Sequence, residues 1–426
     1  MLKVLAGVTN NYALRVKKMN IIMVCESAQI SGGAEKVAIQ EAIELASRGF
    51  RVGYIAGNDS ADAKLSASGV ELLLLDTKSF FEETNRKLKL QKLRANFAIE
   101  EQVRSYFRGF SPSETIVHLH TFRLRLSGIV AHIAQDMGFK TITHNHDYSP
   151  VCPTSLWFDH RTGANCTKKP MSLSCITCEC QNQSWKYKLP KLTSFFWNQS
   201  IWAINRRSNT FLHISNLEQS TTDQALGPPK TPQWRIPPIS GFMSEVRVLA
   251  ETNQAFIFIG RLTQEKGVES FLQCASEAQI DAVVIGDGPL RERLEREFPF
   301  ARFTGWLEEP AIAFELRKAR ALVVPSLWRE TLCLSVIDAM QMGVPCIVSE
   351  NVGAKQYIKS SENGIVFADQ GLLLALQSFA ADSLVQQMSE QAFTTFHDSR
   401  PTIKAHVDEL VKIYEICREG HDNWAG

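Results

Sequence analysis

The chain has 426 residues, 44% apolar and 21% charged. That is too long for one ordinary hydrophobic core, so two domains are expected. Its 46 basic and 45 acidic residues leave a net charge of +1. Such a balance excludes a bulk nucleic-acid binder, which needs a concentrated positive surface. No apolar run approaches the roughly 18 residues that span a bilayer. Lys3, Arg15, Lys17 and Lys18 mostly follow the brief apolar patch Leu2–Val8, the wrong order for a signal peptide.

Residues 1–19 therefore read as an N-terminal extension, and the protein as cytoplasmic. The first domain is expected over 20–240. Its opening apolar run, Ile21–Cys25, meets a Ser-Gly-Gly turn and then a helical stretch, Ala34–Arg48, which Gly49 stops. Further strands are expected at Arg51–Ala56, Val70–Leu75, Thr115–Leu119, Lys140–Thr143 and Thr210–Ile214. Short apolar strands alternating with helices predict an α/β fold with a parallel sheet. The Cys-, Pro- and Ser-rich stretch 149–184 breaks the rhythm, and Trp185–Arg207 reads as one basic, aromatic helix. Pro228, Pro229, Pro232, Pro237, Pro238 and Gly241 mark a hinge.

A second α/β series occupies 241–401, with strands at Ala255–Ile259, Ala282–Ile285, Arg302–Thr304, Ala321–Val324 and Cys346–Val348. The last helix, Thr402–Arg418 within 402–426, is expected to cross back to the first domain. Two doubly wound Rossmann-like halves predict a cleft at the carboxyl ends of their strands.

Chemistry concentrates in the second half. Ile259-Gly260-Arg261-Leu262 and Glu265-Lys266-Gly267 place two cations in the turn after a strand, where they suit a leaving group that gains negative charge. Ile285-Gly286-Asp287-Gly288-Pro289 is a second strand-to-helix turn without the spacing of a dinucleotide fingerprint. Pro325-Ser326-Leu327-Trp328-Arg329-Glu330 precedes a helix that carries Asp338. A carboxylate at that mouth can reach a sugar, while free amides of the first turn hold phosphate. Each feature alone also fits a solvated loop or helix face.

In order and spacing, these motifs, with Phe-Thr-Gly-Trp306 and Met-Gly-Val-Pro-Cys-Ile, resemble the C-terminal domain of family 4 retaining glycosyltransferases. Ser31-Gly32-Gly33-Ala34-Glu35 and His144-Asn145-His146-Asp147 resemble that family's N-terminal loops. The resemblance covers nearly all of residues 20–369. It implies the two-domain GT-B architecture and transfer of a sugar, with retention, from a UDP- or GDP-linked donor to a glycan or lipid-linked acceptor. Bacterial surface-polysaccharide assembly is the usual setting for such enzymes. Gly32 and Gly33 would lie near the donor diphosphate, and His146 near the donor sugar. Arg261 and Lys266 would grip the diphosphate. Glu330 matches the first acid of a Glu-x7-Glu motif, Cys333, Leu334 and Ser335 its phosphate-binding backbone, and Asp338 its second acid. Gly260, Gly286 and Trp306 fall among the donor-binding motifs. His146, Glu330, Arg261 and Lys266 are the expected catalytic set. No cofactor is required for that chemistry. Three positions depart from the pattern: Asp338 is a shorter acid, Cys333 replaces a frequent glycine, and Gln356 replaces an acid. An epimerase or hydrolase on this fold, or a non-catalytic partner subunit, is the alternative reading.

Five of ten cysteines cluster between 152 and 180. Cys175 and Cys178 have zinc-knuckle spacing, and Cys152 and Cys166 complete a four-thiolate set, with Cys180 a competing ligand. Free thiols or labile disulfides are the alternative. The helix Trp185–Arg207 fits either peripheral contact with an anionic membrane or packing of its aromatics in the core. His118 and His120, on a buried strand end, read as structural.

Overall fold

A computed structural model describes residues 19–181, 184–227, 231–236, 239, 244–368, 370–399 and 402–419. Residues 1–18 of the expected extension, four of the hinge prolines and Gly241 lie outside them, while Met19 is buried in the first-domain core. In the first domain, strands β1 (Asn20–Cys25), β2 (Arg51–Ala56), β3 (Glu71–Leu74), β4 (Thr115–Leu119), β5 (Lys140–Asn145), β8 (Thr210–His213) and β9 (Gln233–Arg235) form one parallel sheet. Its order is β3-β2-β1-β4-β5-β8-β9. A small antiparallel hairpin, β6 (Phe158–Asp159) with β7 (Ala164–Asn165), lies in the cysteine-rich segment.

The second domain is a parallel sheet in the order β12-β11-β10-β13-β14-β15. Its strands are β10 (Ala255–Ile259), β11 (Ala282–Ile285), β12 (Arg302–Gly305), β13 (Ala319–Val324), β14 (Cys346–Ser349) and β15 (Gly364–Phe367). In both sheets the order reverses beside the first strand of the domain. That reversal opens a crevice at the strands' carboxyl ends, where ligands of doubly wound folds bind.

Alternation along the strands sends neighbouring side chains to opposite faces. Ile21 and Met23 face one core with Ala38, Ala42 and Leu45, whereas Ile22 and Val24 face another with Val103, Phe107 and Ile129. Helix Asp382–Ser399 packs on the second domain through Ala392 and Phe396. Helix Ile403–Glu419 then returns to the first, placing Val407, Leu410, Ile413, Tyr414 and Cys417 in the core beneath helix Gly33–Ser47.

The expected single helix over Trp185–Arg207 is interrupted. An α-helix spans Trp185–Phe196, a wide π turn follows over Trp197–Ile201, and Ala203 adopts a left-handed conformation before Ile204–Arg207. The break lets Trp202 turn into the core and stack on His132, with ring centroids 4.6 Å apart. Phe195 is also buried, while Tyr187 and Phe196 remain exposed.

Candidate functional site

The turn after β10 and the loop after β13 build the densest part of the site. Lys266 is turned back toward the second loop because Gly267 adopts φ +71°, and a Cβ there would lie 2.0 Å from Pro325 O. Only glycine permits that approach. Lys266 Nζ reaches Glu330 Oε1 at 2.5 Å, and Ser326 Oγ donates to Glu330 Oε2 at 2.6 Å. The Glu330 backbone is held on both sides, with its N–H on Asn351 O and its carbonyl accepting from Gly353 N, both at 2.8 Å. Burial works against the Lys266 ammonium, but the adjacent Glu330 carboxylate outweighs it and raises its pKa. The side chain therefore stays cationic, which charge neutralisation requires. Arg261 stands exposed at the other end of the turn.

Helix Leu334–Gln341 follows, and Cys333 caps it at φ 77°. That left-handed conformation explains why glycine is frequent at this place in the resembling family. Cys333 Sγ lies 3.1 Å from Ser335 Oγ. Burial, aided by the nearby Glu330 charge, pushes the thiol up to about 12. Cys333 is therefore expected to resist alkylation in the native protein at pH 8, because the thiolate is the reactive form. Mass spectrometry after a timed pulse of iodoacetamide checks this, with the partly exposed Cys166 as reference. Asp338, in the same helix, is 7% exposed.

The first domain meets these loops across the cleft. Gly33 opens helix Gly33–Ser47, and a Cβ there would lie 3.3 Å from Leu334 Cδ1, so the Gly32-Gly33 loop faces the Cys333-Leu334-Ser335 turn. His146 follows β5; its carbonyl accepts from Thr331 Oγ1 at 2.9 Å, and its Nε2 lies 2.8 Å from His120 Nδ1. Burial, reinforced by His120, pulls the His146 imidazole down to about 3. Gly260 and Gly286 are in mutual contact, a Cβ on Gly286 falling 2.0 Å from Gly260 O. Trp306 is 68% exposed and lies outside the cavity described next.

A cavity of about 640 Å³ opens on the first-domain side of the cleft. Ser31, Glu35, Arg123 and Asp147 line it, Phe80 and Phe81 form an apolar flank, and Arg261 supplies the contact from the second domain. Lys266 and Glu330 are not in its lining.

The cysteine-rich segment does something its sequence did not suggest. Its hairpin carries Asn165, whose Nδ2 donates to Leu327 O at 3.2 Å and Asn351 Oδ1 at 3.1 Å, while its Oδ1 accepts from Arg329 N at 2.8 Å. Tyr148, Val151, Cys152 and Trp157 form a small core against Trp328. The segment thus grips the loop that presents Glu330. Asn165→Ala is expected to lower unfolding free energy by about 1–3 kcal/mol, the range for bonds of this kind, and kcat/KM by about tenfold through a misplaced Glu330. Urea unfolding and steady-state kinetics check both.

The thiols themselves do not form the closed set that zinc needs. Among the described residues, the His, Cys, Asp and Glu groups whose ligand atoms all lie within 4.8 Å of one another are Glu41, His118, His120 and His144. Cys178 Sγ instead meets Asp159 Oδ2 at 3.5 Å, and Cys152 Sγ lies 3.2 Å from Thr154 Oγ1. The turn at Cys175 and Cys178 is closed by Lys188, whose buried ammonium donates to the carbonyls of Cys175 and, at 2.8 Å, Cys178.

Of the expected residues, the structure thus brings Arg261, Lys266, Glu330, Cys333, Leu334, Gly32, Gly33 and His146 to one cleft. Ser326, Thr331 and Asn165 were missed. Ser326 and Thr331 flank the recognised acid, so their position was a signal; Asn165 had none, because its partners are far away in sequence.

Residues 253–382 match the family described as glycosyl transferases group 1. A GDP-mannose-dependent alpha-mannosyltransferase of Mycolicibacterium smegmatis is 34% identical over 158 residues, 37% of this chain and 42% of that protein. A 2-deoxystreptamine N-acetyl-D-glucosaminyltransferase of Niallia circulans is 27% identical, over 34% of this chain and 41% of that protein. The matched region thus spans less than half the length of these relatives. Among solved structures, Anabaena Alr3699/HepE in complex with UDP and glucose superposes with a TM-score of 0.65 at 14% identity, covering 93% of this chain and 99% of that one. Sucrose-phosphate synthase from Thermosynechococcus elongatus gives 0.67 at 16%, covering 93% and 98%. Those likenesses establish the GT-B fold, and residues 253–382 are similar to the glycosyl transferases group 1 family.

Proposed function

We propose that the protein is a retaining glycosyltransferase that moves a sugar from a nucleoside diphosphate to an acceptor hydroxyl. The observation that carries this reading is the Lys266–Glu330 pair, 2.5 Å apart, with Arg261 at the other end of the same turn and helix Leu334–Gln341 following. As the bond between sugar and diphosphate breaks, negative charge grows on the diphosphate. Arg261, Lys266 and the free amides of that first turn are the chain's own means of stabilising it. Glu330, fixed by Ser326 and Lys266, is positioned to hold a sugar hydroxyl, and Asp338 is assigned to the ribose. No side chain is placed as a dedicated general base; the donor phosphate takes the acceptor proton.

The cavity over Ser31, Glu35, Arg123 and Asp147 is assigned to the acceptor. Its Phe80–Phe81 flank continues into exposed Tyr187, which stacks on Phe81 at 5.6 Å, with Lys191 5.8 Å from the Phe81 ring. An apolar edge studded with cations supports a lipid-linked acceptor met at a membrane surface, in surface-polysaccharide assembly inside the cell. Among the described residues no helix is long and apolar enough to cross a membrane. The test is product analysis: donor and acceptor panels, with the anomeric configuration read by NMR. Retention in a glycosylated acceptor supports the reading. Inversion would overturn the mechanism, and epimerised or hydrolysed donor as the sole product would overturn the function.

A further inference from the structure

Beneath the first-domain loops lies a cluster that the reaction above does not use. Glu41, on helix Gly33–Ser47, faces His118 and His120 at the end of β4 and His144 on β5. All four side chains are fully excluded from solvent. Five of their polar atoms make no hydrogen bond: Glu41 Oε2, His118 Nε2, His120 Nε2 and both ring nitrogens of His144. So many orphaned atoms converging at one point is unusual, because buried polar groups are otherwise paired.

We propose that Glu41, His118, His120 and His144 bind a divalent cation of the zinc class, and that this cation sets the tautomer of His146. Three histidines and a carboxylate are zinc's ordinary ligand types, and bonds of about 2.0–2.1 Å in a tetrahedron separate ligand atoms by about 3.3–3.4 Å. Glu41 Oε2 already lies 3.3 Å from His120 Nε2, and one ligand atom from each of the four residues lies within 4.8 Å of the others. The outward-facing atoms have partners of the kind that orient metal ligands. His406 Nε2 lies 2.8 Å from Glu41 Oε1, Tyr414 Oη lies 2.7 Å from His118 Nδ1, and His120 Nδ1 meets His146 Nε2. Two of these partners come from helix Ile403–Glu419, so the cation would also fasten the returning C-terminal helix to the first domain.

The consequence for His146 follows from hydrogen counting. With Nε2 of His120 on the cation, its one hydrogen sits on Nδ1 and points at His146 Nε2, 2.8 Å away. Two N–H groups cannot face each other, so His146 accepts there and carries its own hydrogen on Nδ1. The cation binds whether or not the protein transfers sugar; only the role of that Nδ1–H donor rests on the glycosyltransferase reading.

The test is elemental analysis and zinc absorption-edge spectroscopy of the full-length protein, produced with zinc in the medium. We expect about one zinc per chain with a nitrogen and oxygen shell near about 2.0–2.1 Å and no sulfur at about 2.3 Å. Cys175→Ser with Cys178→Ser should keep that zinc, and His144→Gln should lose at least nine-tenths of it. Should His144→Gln fail to fold, the wild-type spectrum decides alone. Nitrogen-15 NMR of the wild type should show His146 protonated at Nδ1. Zinc below a tenth per chain, a sulfur shell, or His146 protonated at Nε2 would overturn the proposal.

Discussion

Replacing Lys266 by alanine, or Glu330 by glutamine, is expected to lower kcat/KM by about 100- to 1,000-fold, the scale seen when one preorganised electrostatic partner of a transition state is removed. Glu330→Gln keeps one acceptor for Ser326 Oγ and the backbone bonds to Asn351 and Gly353, but it removes the anion paired with Lys266, so a modest loss of stability with a retained fold is expected. Lys266→Ala is harsher on the ground state: it leaves the largely buried Glu330 carboxylate without its cation, so some loss of stability is expected as well. The two losses should not add, since both variants break the same pair. A double variant no worse than the poorer single is the expected outcome, measured by kinetics with saturating acceptor. Near-normal turnover in both single variants would remove the site from this cleft.

The second large effect concerns His146. His146→Ala should reduce kcat/KM by about 100-fold or more, within the range for a group that touches reacting atoms. His146→Gln should recover part of the loss if a neutral hydrogen-bond donor is what the site requires. Because burial holds His146 near about 3, protonation of this residue should produce no limb in the rate profile between pH 5 and 8. Stability behaves differently. His118 and His144 are also held well below the ordinary value of 6.5 by burial. Above 6.5 both folded and unfolded chains carry these rings neutral, and their contribution is complete. Below it the unfolded chain binds protons that the folded chain refuses, so stability falls as the pH falls. Urea unfolding at pH 7.5 and 5.5 should show that drop, and an unchanged midpoint would contradict it.

How far the sequence carried the site follows from how it is assembled. Arg261, Lys266, Glu330 and Cys333 could be read because each sits in a few consecutive residues after a buried strand, where spacing alone fixes geometry. The strand runs Arg51–Ala56, Thr115–Leu119, Ala255–Ile259 and Ala282–Ile285 were legible for the same reason, as buried parallel strands leave unbroken apolar stretches. Gln233–Arg235 and Gly364–Phe367 were not. They are three- and four-residue edge strands, and Pro232 made the first look like hinge. Asn165 and the Glu41 cluster depend on partners 162 and 365 residues away, Leu327 and His406, which no local pattern can announce. Trp185–Arg207 misled because helical periodicity continues through a π turn that exists to seat Trp202.

Arg261 and Lys266 are expected to grip a nucleoside diphosphate in the cleft. Calorimetric titration of GDP, UDP and ADP into the wild type and into Arg261→Ala with Lys266→Ala tests it most directly. At least one of the three should bind the wild type in the micromolar range and the double variant at least about 100-fold more weakly, the roughly 2.7 kcal/mol of two charge-assisted contacts. Binding of none of the three to the wild type, or equal binding to both proteins, would contradict it.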